Sequence, residues 1–191
     1  MKRNSLLVVL FAAMTMCLTS CTKDDPLAKV DNPTFAAVYA YLDRSADDVK
    51  AEMTSLGFEF DDYSSNSLNA EKGSESYYFM FRNGKVYHAE YKYEAALPVT
   101  ALVTGKSPIK SSVMDILDAE KQFRNQSGLT AFSGSIETEE ETTYTSKDAF
   151  LTAVNELDWK ALSEAKSHST YADVKTIVEF SFNELSYGVE K

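Results

Sequence analysis

The chain has only two cysteines, Cys17 and Cys21, and none in residues 22–191. The long C-terminal segment therefore cannot form a disulfide framework, a thiolate metal site or a cysteine nucleophile. At this length a domain buries roughly 70% of its unfolded surface and needs no cross-link to be stable. We expect it to rely on side-chain packing alone.

Glycine, proline and histidine are also scarce, with 7, 4 and 2 residues, whereas tyrosine and phenylalanine each occur 11 times. This composition favours packed strands over a low-complexity stalk. His88 lies beside Glu90 on a predicted strand, and His168 lies in a predicted polar loop after Lys166. Neither has a second histidine three or four residues away, so we predict two exposed histidines and no histidine metal pair.

Motifs for common enzyme chemistries are missing. There is no glycine-rich phosphate loop, Gly-x-Ser-x-Gly elbow or His-Glu-x-x-His sequence. The acidic segments 61–66 and 137–141 lack the ligand spacing, central glycine and distal glutamate of a calcium loop, so we predict solvated turns. We therefore predict no catalytic residue, metal ligand or cofactor. Distant carboxylates that converge in the fold, as in glycoside hydrolases, stay open as an alternative.

Positive charge is in deficit, with 19 basic and 29 acidic residues and a net charge of −10. Without Lys2 and Arg3, 17 basic residues face the same 29 acidic ones, and the charge becomes −12. Such a field repels phosphate backbones, so we predict no nucleic-acid partner. Acidity of this degree is also a common solubilising surface of exported proteins.

The N-terminus has the order of a processing signal. Lys2 and Arg3 precede an apolar run, residues 5–17, that is too short to span a bilayer. The sequence Leu18-Thr19-Ser20-Cys21 that follows resembles the lipobox of bacterial lipoproteins. This resemblance implies cleavage before Cys21 and acyl chains such as palmitate on that residue. The alternatives are an ordinary secretory peptide with a coincidental cysteine and an uncleaved membrane helix.

Residues 22–25, Thr-Lys-Asp-Asp, resemble the export signal of Bacteroidota surface lipoproteins, in which two acidic residues follow lysine or serine. Lys23, Asp24 and Asp25 would carry this signal. The resemblance implies an outer-membrane lipoprotein that faces the cell exterior, and a periplasm-facing protein is the alternative. We divide the chain into a signal peptide (1–20), a lipidated tether (21–32) and a single domain (33–191).

The start of the domain has helical spacing. Asn32 is a predicted cap before Pro33, and Ser45 is a second cap with Asp48 three residues later. Gly57 is a predicted helix stop. These signals indicate two short helices, or one helix kinked near residue 44. A short strand at residues 58–60 and a polar loop over 61–76 are predicted next.

Two aromatic-rich runs, Ser76–Phe81 and Lys85–Tyr93, flank the sequence Arg82-Asn83-Gly84. Asn-Gly between alternating runs predicts a β-hairpin, because both residues tolerate a positive φ. Side chains of the second run point alternately to the two faces of the strand. One face is mainly aromatic and the opposite face is mostly polar. The predicted aromatic face comprises Tyr87, Ala89, Tyr91 and Tyr93.

The remaining elements follow in order. We predict a strand at 97–103, a helix at 111–124, strands at 129–137 and 141–145, and a helix capped by Ser146. A polar segment at 165–171 then leads to one strand run at 174–187. This order predicts an α+β fold, an antiparallel sheet with helices packed on one face. Residues 45–60 loosely resemble those from Ser146 onward, so a duplicated helix–strand module is an alternative to a single unit.

Tyrosines of the hairpin are the candidate binding residues, because tyrosine combines apolar area with a polar tip. The alternative places these aromatic rings in the core beneath the helices. We predict a non-enzymatic, lipid-anchored envelope protein that binds a protein or glycan partner. The other hypotheses are an envelope hydrolase with scattered carboxylates and an inhibitory or structural docking module. The candidate binding residues are Tyr77, Tyr78, Tyr87, Tyr91 and Tyr93.

Overall fold

The computed structural model describes residues 32–125 and 131–191, except for the side chains of Asp62, Tyr63 and Tyr171. The predicted cleavage site, lipid attachment and export signal lie outside these residues, as does the first part of the strand predicted at 129–137. The described residues form a nine-stranded antiparallel sheet and five helices, which is an α+β fold. None of these helices is long and apolar enough to cross a bilayer.

The strands lie in the spatial order β1-β2-β3-β4-β9-β8-β7-β5-β6, and all neighbours are antiparallel. The helices are α1 (Phe35–Tyr39), α2 (Ala46–Ser55), α3 (Val99–Thr104), α4 (Lys110–Phe123) and α5 (Lys147–Glu156). The strands are β1 (Glu59–Ser64), β2 (Ser67–Lys72), β3 (Glu75–Arg82), β4 (Lys85–Glu94), β5 (Ala131–Glu137), β6 (Glu141–Tyr144), β7 (Glu164–Tyr171), β8 (Val174–Phe180) and β9 (Glu184–Glu190).

Side-chain caps begin three of the helices. The Ser45 hydroxyl accepts from the Asp48 backbone N–H at 3.2 Å, and Ser146 accepts likewise from Ala149 at 3.4 Å. Both predicted serine caps are therefore confirmed, and α1 and α2 are two separate helices. The predicted Asn32 cap is wrong, because the Thr34 hydroxyl caps α1 by accepting from the N–H three residues on.

The helices cover one face of the sheet. Phe35 of α1 stacks on Tyr187 of β9 with 5.6 Å between ring centroids, and Phe150 of α5 lies against Gly134 of β5. Tyr187 and Gly134 belong to one cross-strand row through β9, β8, β7 and β5, so both helices lie on the same side. α4 packs against β8 of this sheet. The hydrophobic core lies between these two layers.

A buried carboxylate joins α4, α5 and the sheet. Glu120 of α4 is 4% exposed and accepts from the ammonium of Lys147 and from the Thr176 hydroxyl at 2.9 Å. Thr176 in turn lies on β8. A buried charge is tolerated only when it is paired and hydrogen-bonded, and this one is.

Two stretches predicted as irregular are strands. Residues 61–76 were predicted as a polar loop, yet β2 lies there, with Leu68 and Ala70 buried and the alternate residues facing out. The predicted polar segment 165–171 is β7, which lies between β5 and β8. The β7 side chains that face the core include Ser167 and Ser169, which are small enough to be buried there. The strand therefore packs on the core although its sequence shows no hydrophobic alternation.

Two further predictions are corrected. The stretch 97–103, predicted as a strand, is mostly helix α3 (Val99–Thr104), because Pro98 fixes a starting φ of −67° and Gly105, at φ 67°, ends the helix after six residues. The run 174–187 is two strands, β8 and β9, separated by a turn at 181–183. Phe182 prolongs the apolar alternation of β8 into this turn, which hid the break in the sequence.

A β-bulge changes the facing of side chains on β4. Asn83 and Gly84, at φ 53° and 72°, connect β3 and β4. Phe81 pairs with Val86 but Met80 pairs with His88, so Tyr87 has no partner on β3. The extra residue places Tyr87 on the same side as His88. The prediction that Tyr87 shares a face with Ala89, Tyr91 and Tyr93 is therefore wrong.

Candidate functional site

The face of the sheet opposite the helices, here called the open face, carries polar and aromatic side chains. Cross-strand pairing aligns them in rows, for example Tyr78–Glu90–Gly188–Ile177–His168 across β3, β4, β9, β8 and β7. The neighbouring rows contribute Met80, His88, Glu190 and Lys175 on one side and Ser76, Lys92, Ser186, Glu179 and Lys166 on the other. This face is the candidate binding surface.

His88 lies at the centre of an ionic cluster on the open face. Its Nε2 is 3.4 Å from a carboxylate oxygen of Glu90, and its Nδ1 is 3.3 Å from one of Glu190. The Tyr78 ring meets the imidazole edge-on at 6.0 Å, and His88 is only 7% exposed. The prediction of an exposed strand histidine is wrong, because these three side chains cover it.

The cluster favours the protonated imidazole. Burial opposes protonation, but the hydrogen bonds and charges of Glu90 and Glu190 outweigh it and raise the pKa of His88. For Glu90, burial also disfavours the charged form and so raises the pKa, but hydrogen bonds from His88 and Ser186 outweigh it and lower the pKa overall. An imidazolium that donates to both carboxylates links β4 to β9 at the middle of the sheet.

We expect the substitution H88Q to lower the free energy of unfolding more at about pH 5.5 than at about pH 9. A raised folded-state pKa gives a stability contribution that is complete below the unfolded value of 6.5 and disappears as the pH rises through the folded value. Urea unfolding at several pH values measures this difference.

The matched control for that experiment is H168Q. Burial and the nearby ammonium groups of Lys175 and Lys166 lower the pKa of His168, so its protonation destabilises the fold and the pH trend should be reversed. Parallel trends in the two variants would contradict the assigned role of His88.

Gly188 allows the close approach of β4 and β9 beside this cluster. A Cβ at position 188 would lie 2.7 Å from the Ala89 carbonyl oxygen and 3.1 Å from the Glu90 Cα. Both atoms belong to the backbone and cannot rotate away. A side chain here would therefore separate the strands that carry His88 and Glu190.

A groove of about 650 Å³ lies on the open face above β2, β3 and β4. Its open-face carboxylates are those of Glu71, Glu90 and Glu94, and its one ammonium, on Lys92, is paired with Glu184 at 2.9 Å. The groove is therefore acidic overall and suits a ligand with positive charge or many hydroxyl donors. Its principal lining residues are Asn69, Glu71, Glu75, Ser76, Tyr78, Glu90, Lys92 and Glu94.

The structure divides the five candidate tyrosines between the two faces. Tyr77 and Tyr91 are 7% and 1% exposed, and their rings meet 5.1 Å apart within the core. Tyr93 is half-buried against the same core. Only Tyr78, in the groove, and Tyr87 lie on the open face, so for Tyr77 and Tyr91 the alternative of a core position is correct.

Tyr87 is held in place at the edge of the open face. The Arg82 guanidinium lies 4.2 Å from its ring centroid, a cation–π contact, and the Tyr87 hydroxyl donates to the Met80 sulfur at 3.4 Å. These contacts fix the ring without covering it, since Tyr87 stays partly exposed.

Several residues of the site carry no clear functional signal in the sequence. Asn69 and Glu71 fell in the stretch predicted as a loop, although the alternation of Leu68 and Ala70 with polar residues was a usable strand signal. Glu190 lies 102 residues from His88 in the chain, and no local pattern links the two. Within the described residues, no group of three or more potential ligands is placed to hold a metal ion.

No family model, curated protein or solved structure matches this chain.

Proposed function

We propose that the chain is a lipid-anchored protein of the bacterial outer membrane, faces the cell exterior, and binds a protein or glycan partner through the open face. The observation that carries the binding function is the groove, an acidic concave surface with the Tyr78 ring in its lining. Tyrosine is enriched at protein interfaces because a rigid ring gives contact area at a low entropic cost. The lipobox and export signal supply the location.

The anchor depends on Cys21. We expect cells that express the wild-type chain in radioactive palmitate to label it, and the substitution C21A to abolish the label, because two or more acyl chains on this residue make the stable attachment. The matched control is C17A, which removes the other cysteine and should leave the label intact. Label on the C21A variant would contradict the anchor.

The binding surface is tested by placing the photo-reactive residue benzoylphenylalanine at Tyr78 in the full chain on cells of its native host. We expect a discrete cross-linked product from Tyr78 and none from the same residue at Asp118, which is exposed on α4 of the helical layer. Protease or periodate sensitivity then identifies the partner as protein or glycan. Equal products from both positions, or none from Tyr78, would contradict binding through the open face.

We infer that the fold contains a duplicated helix–strand module. Two helices of ten residues, α2 and α5, each begin at a serine cap. The strands that follow them lead to β4 and β9, which pair antiparallel at the centre, as a two-fold axis there would require. The Asn83-Gly84 turn, with two positive φ values, is a type I′ hairpin within the first copy. Failure of α2-β2-β3-β4 to superpose on α5-β7-β8-β9 would contradict the duplication.

A further inference from the structure

Helix α3 exposes an apolar surface that the described residues leave uncovered. Val99, Leu102 and Val103 are 74%, 50% and 74% exposed, and their spacing places them on one face of the helix. Leu97, just before the helix, is 43% exposed, whereas Ala101 is buried at 2% and holds the helix to the domain. Aliphatic surface exposed in one patch marks a site of contact with a partner or a membrane.

This patch lies at the end of the sheet where the N-terminal segment joins the domain. The Asn32 side chain is 3.3 Å from the Tyr91 hydroxyl, which also donates to Glu75 at 3.0 Å. Glu75 begins β3, and β4 ends beside it, since the Glu94 N–H donates to the Ser74 carbonyl at 2.9 Å. α3 starts shortly after the end of β4, so it lies at the same end of the sheet as Asn32.

The length of the intervening chain limits how far this end can be from a lipid on Cys21. Residues 22–31 separate Cys21 from Asn32, and ten residues span at most about 35 Å. A membrane-bound lipid therefore keeps α3 within reach of the bilayer at a high effective concentration. Tethering therefore strengthens the contribution that even a small apolar patch makes to membrane contact.

We propose that α3 docks on the lipid surface, with Leu97, Val99, Leu102 and Val103 inserted at the boundary between headgroups and acyl chains. This inference rests on the proposed lipid anchor. Apolar faces of interfacial helices insert about 5–10 Å into that boundary. The docked end orients the strands away from the bilayer and leaves the open face accessible to a partner.

The lack of cysteine after residue 21 makes a site-specific label practical. The lipidated full-length product is purified as the V103C variant, labelled with an environment-sensitive nitrobenzoxadiazole dye and reconstituted into phosphatidylcholine vesicles. We expect a blue-shifted emission that spin-labelled lipids quench. The matched control is D173C, at an exposed turn at the opposite end of the sheet, and its dye should stay in water.

The possible outcomes separate this inference from the anchor. If the protein floats with the vesicles but the dye at position 103 stays in water, docking by α3 is wrong and the anchor stands. If the protein does not float, the anchor is wrong and the inference falls with it. If the dye is shielded without vesicles in the C17A/C21A/V103C protein, whose single cysteine is at position 103, the N-terminal segment or a second copy covers α3, which also overturns the inference.

Discussion

Replacing Phe150 with alanine is expected to lower the free energy of unfolding by about 3–5 kcal/mol. The side chain is fully buried, and its ring meets those of Phe132 and Tyr144 at 5.7 and 5.9 Å. The absence of a Cβ on Gly134 lets this ring lie directly on β5, since a Cβ there would be 2.7 Å from a Phe150 ring carbon. Truncation leaves a cavity between α5 and the sheet, which neighbouring backbone cannot fill.

Urea unfolding of the C21A protein, followed by the fluorescence of Trp159, measures this effect. Phe60 provides the control, because it is 37% exposed on β1 and its truncation should cost less than about 1 kcal/mol. Similar losses for the two variants would show that α5 does not pack on the sheet in the way described.

The substitution G188A is expected to cost about 1–3 kcal/mol, although it adds one methyl group. The new Cβ meets backbone atoms of Ala89 and Glu90, so β9 has to move away from β4. This movement also separates Glu190 from His88, and we therefore expect the pH dependence of stability assigned to His88 to become flatter.

Unfolding of the G188A variant at several pH values checks both effects. S135A is the control, on the open face at β5, and a surface substitution of this kind should change stability by less than about 0.5 kcal/mol. Unchanged stability of G188A together with an unchanged pH profile would refute the close approach of β4 and β9.

Local signals in the sequence predicted local structure well. The serine caps of α2 and α5 depend on residues three positions apart, and both are confirmed. The α+β class followed from the order of the elements. Such features depend on short-range sterics and hydrogen bonds, which a single sequence shows directly.

Features that depend on partners distant in the chain escaped prediction. β2 is short and half polar, and it is a strand because β1 and β3 pair with it on both sides. The side on which Tyr87 lies is decided by a bulge in β4, where Tyr87 has no partner between the Phe81–Val86 and Met80–His88 pairs. The ionic cluster forms only once β9 pairs with β4. Periodicity predicts which residues alternate, but the register of the partner strand decides which side each one faces.

The central position of β9 has a consequence for the order of folding. β9 follows the other eight described strands in the chain, yet it pairs with both β4 and β8 in the middle of the sheet. During synthesis, the facing edges of β4 and β8 therefore stay unpaired until residues 184–190 emerge. Unpaired strand edges promote aggregation. Folding that begins only after this last strand is available avoids the hazard.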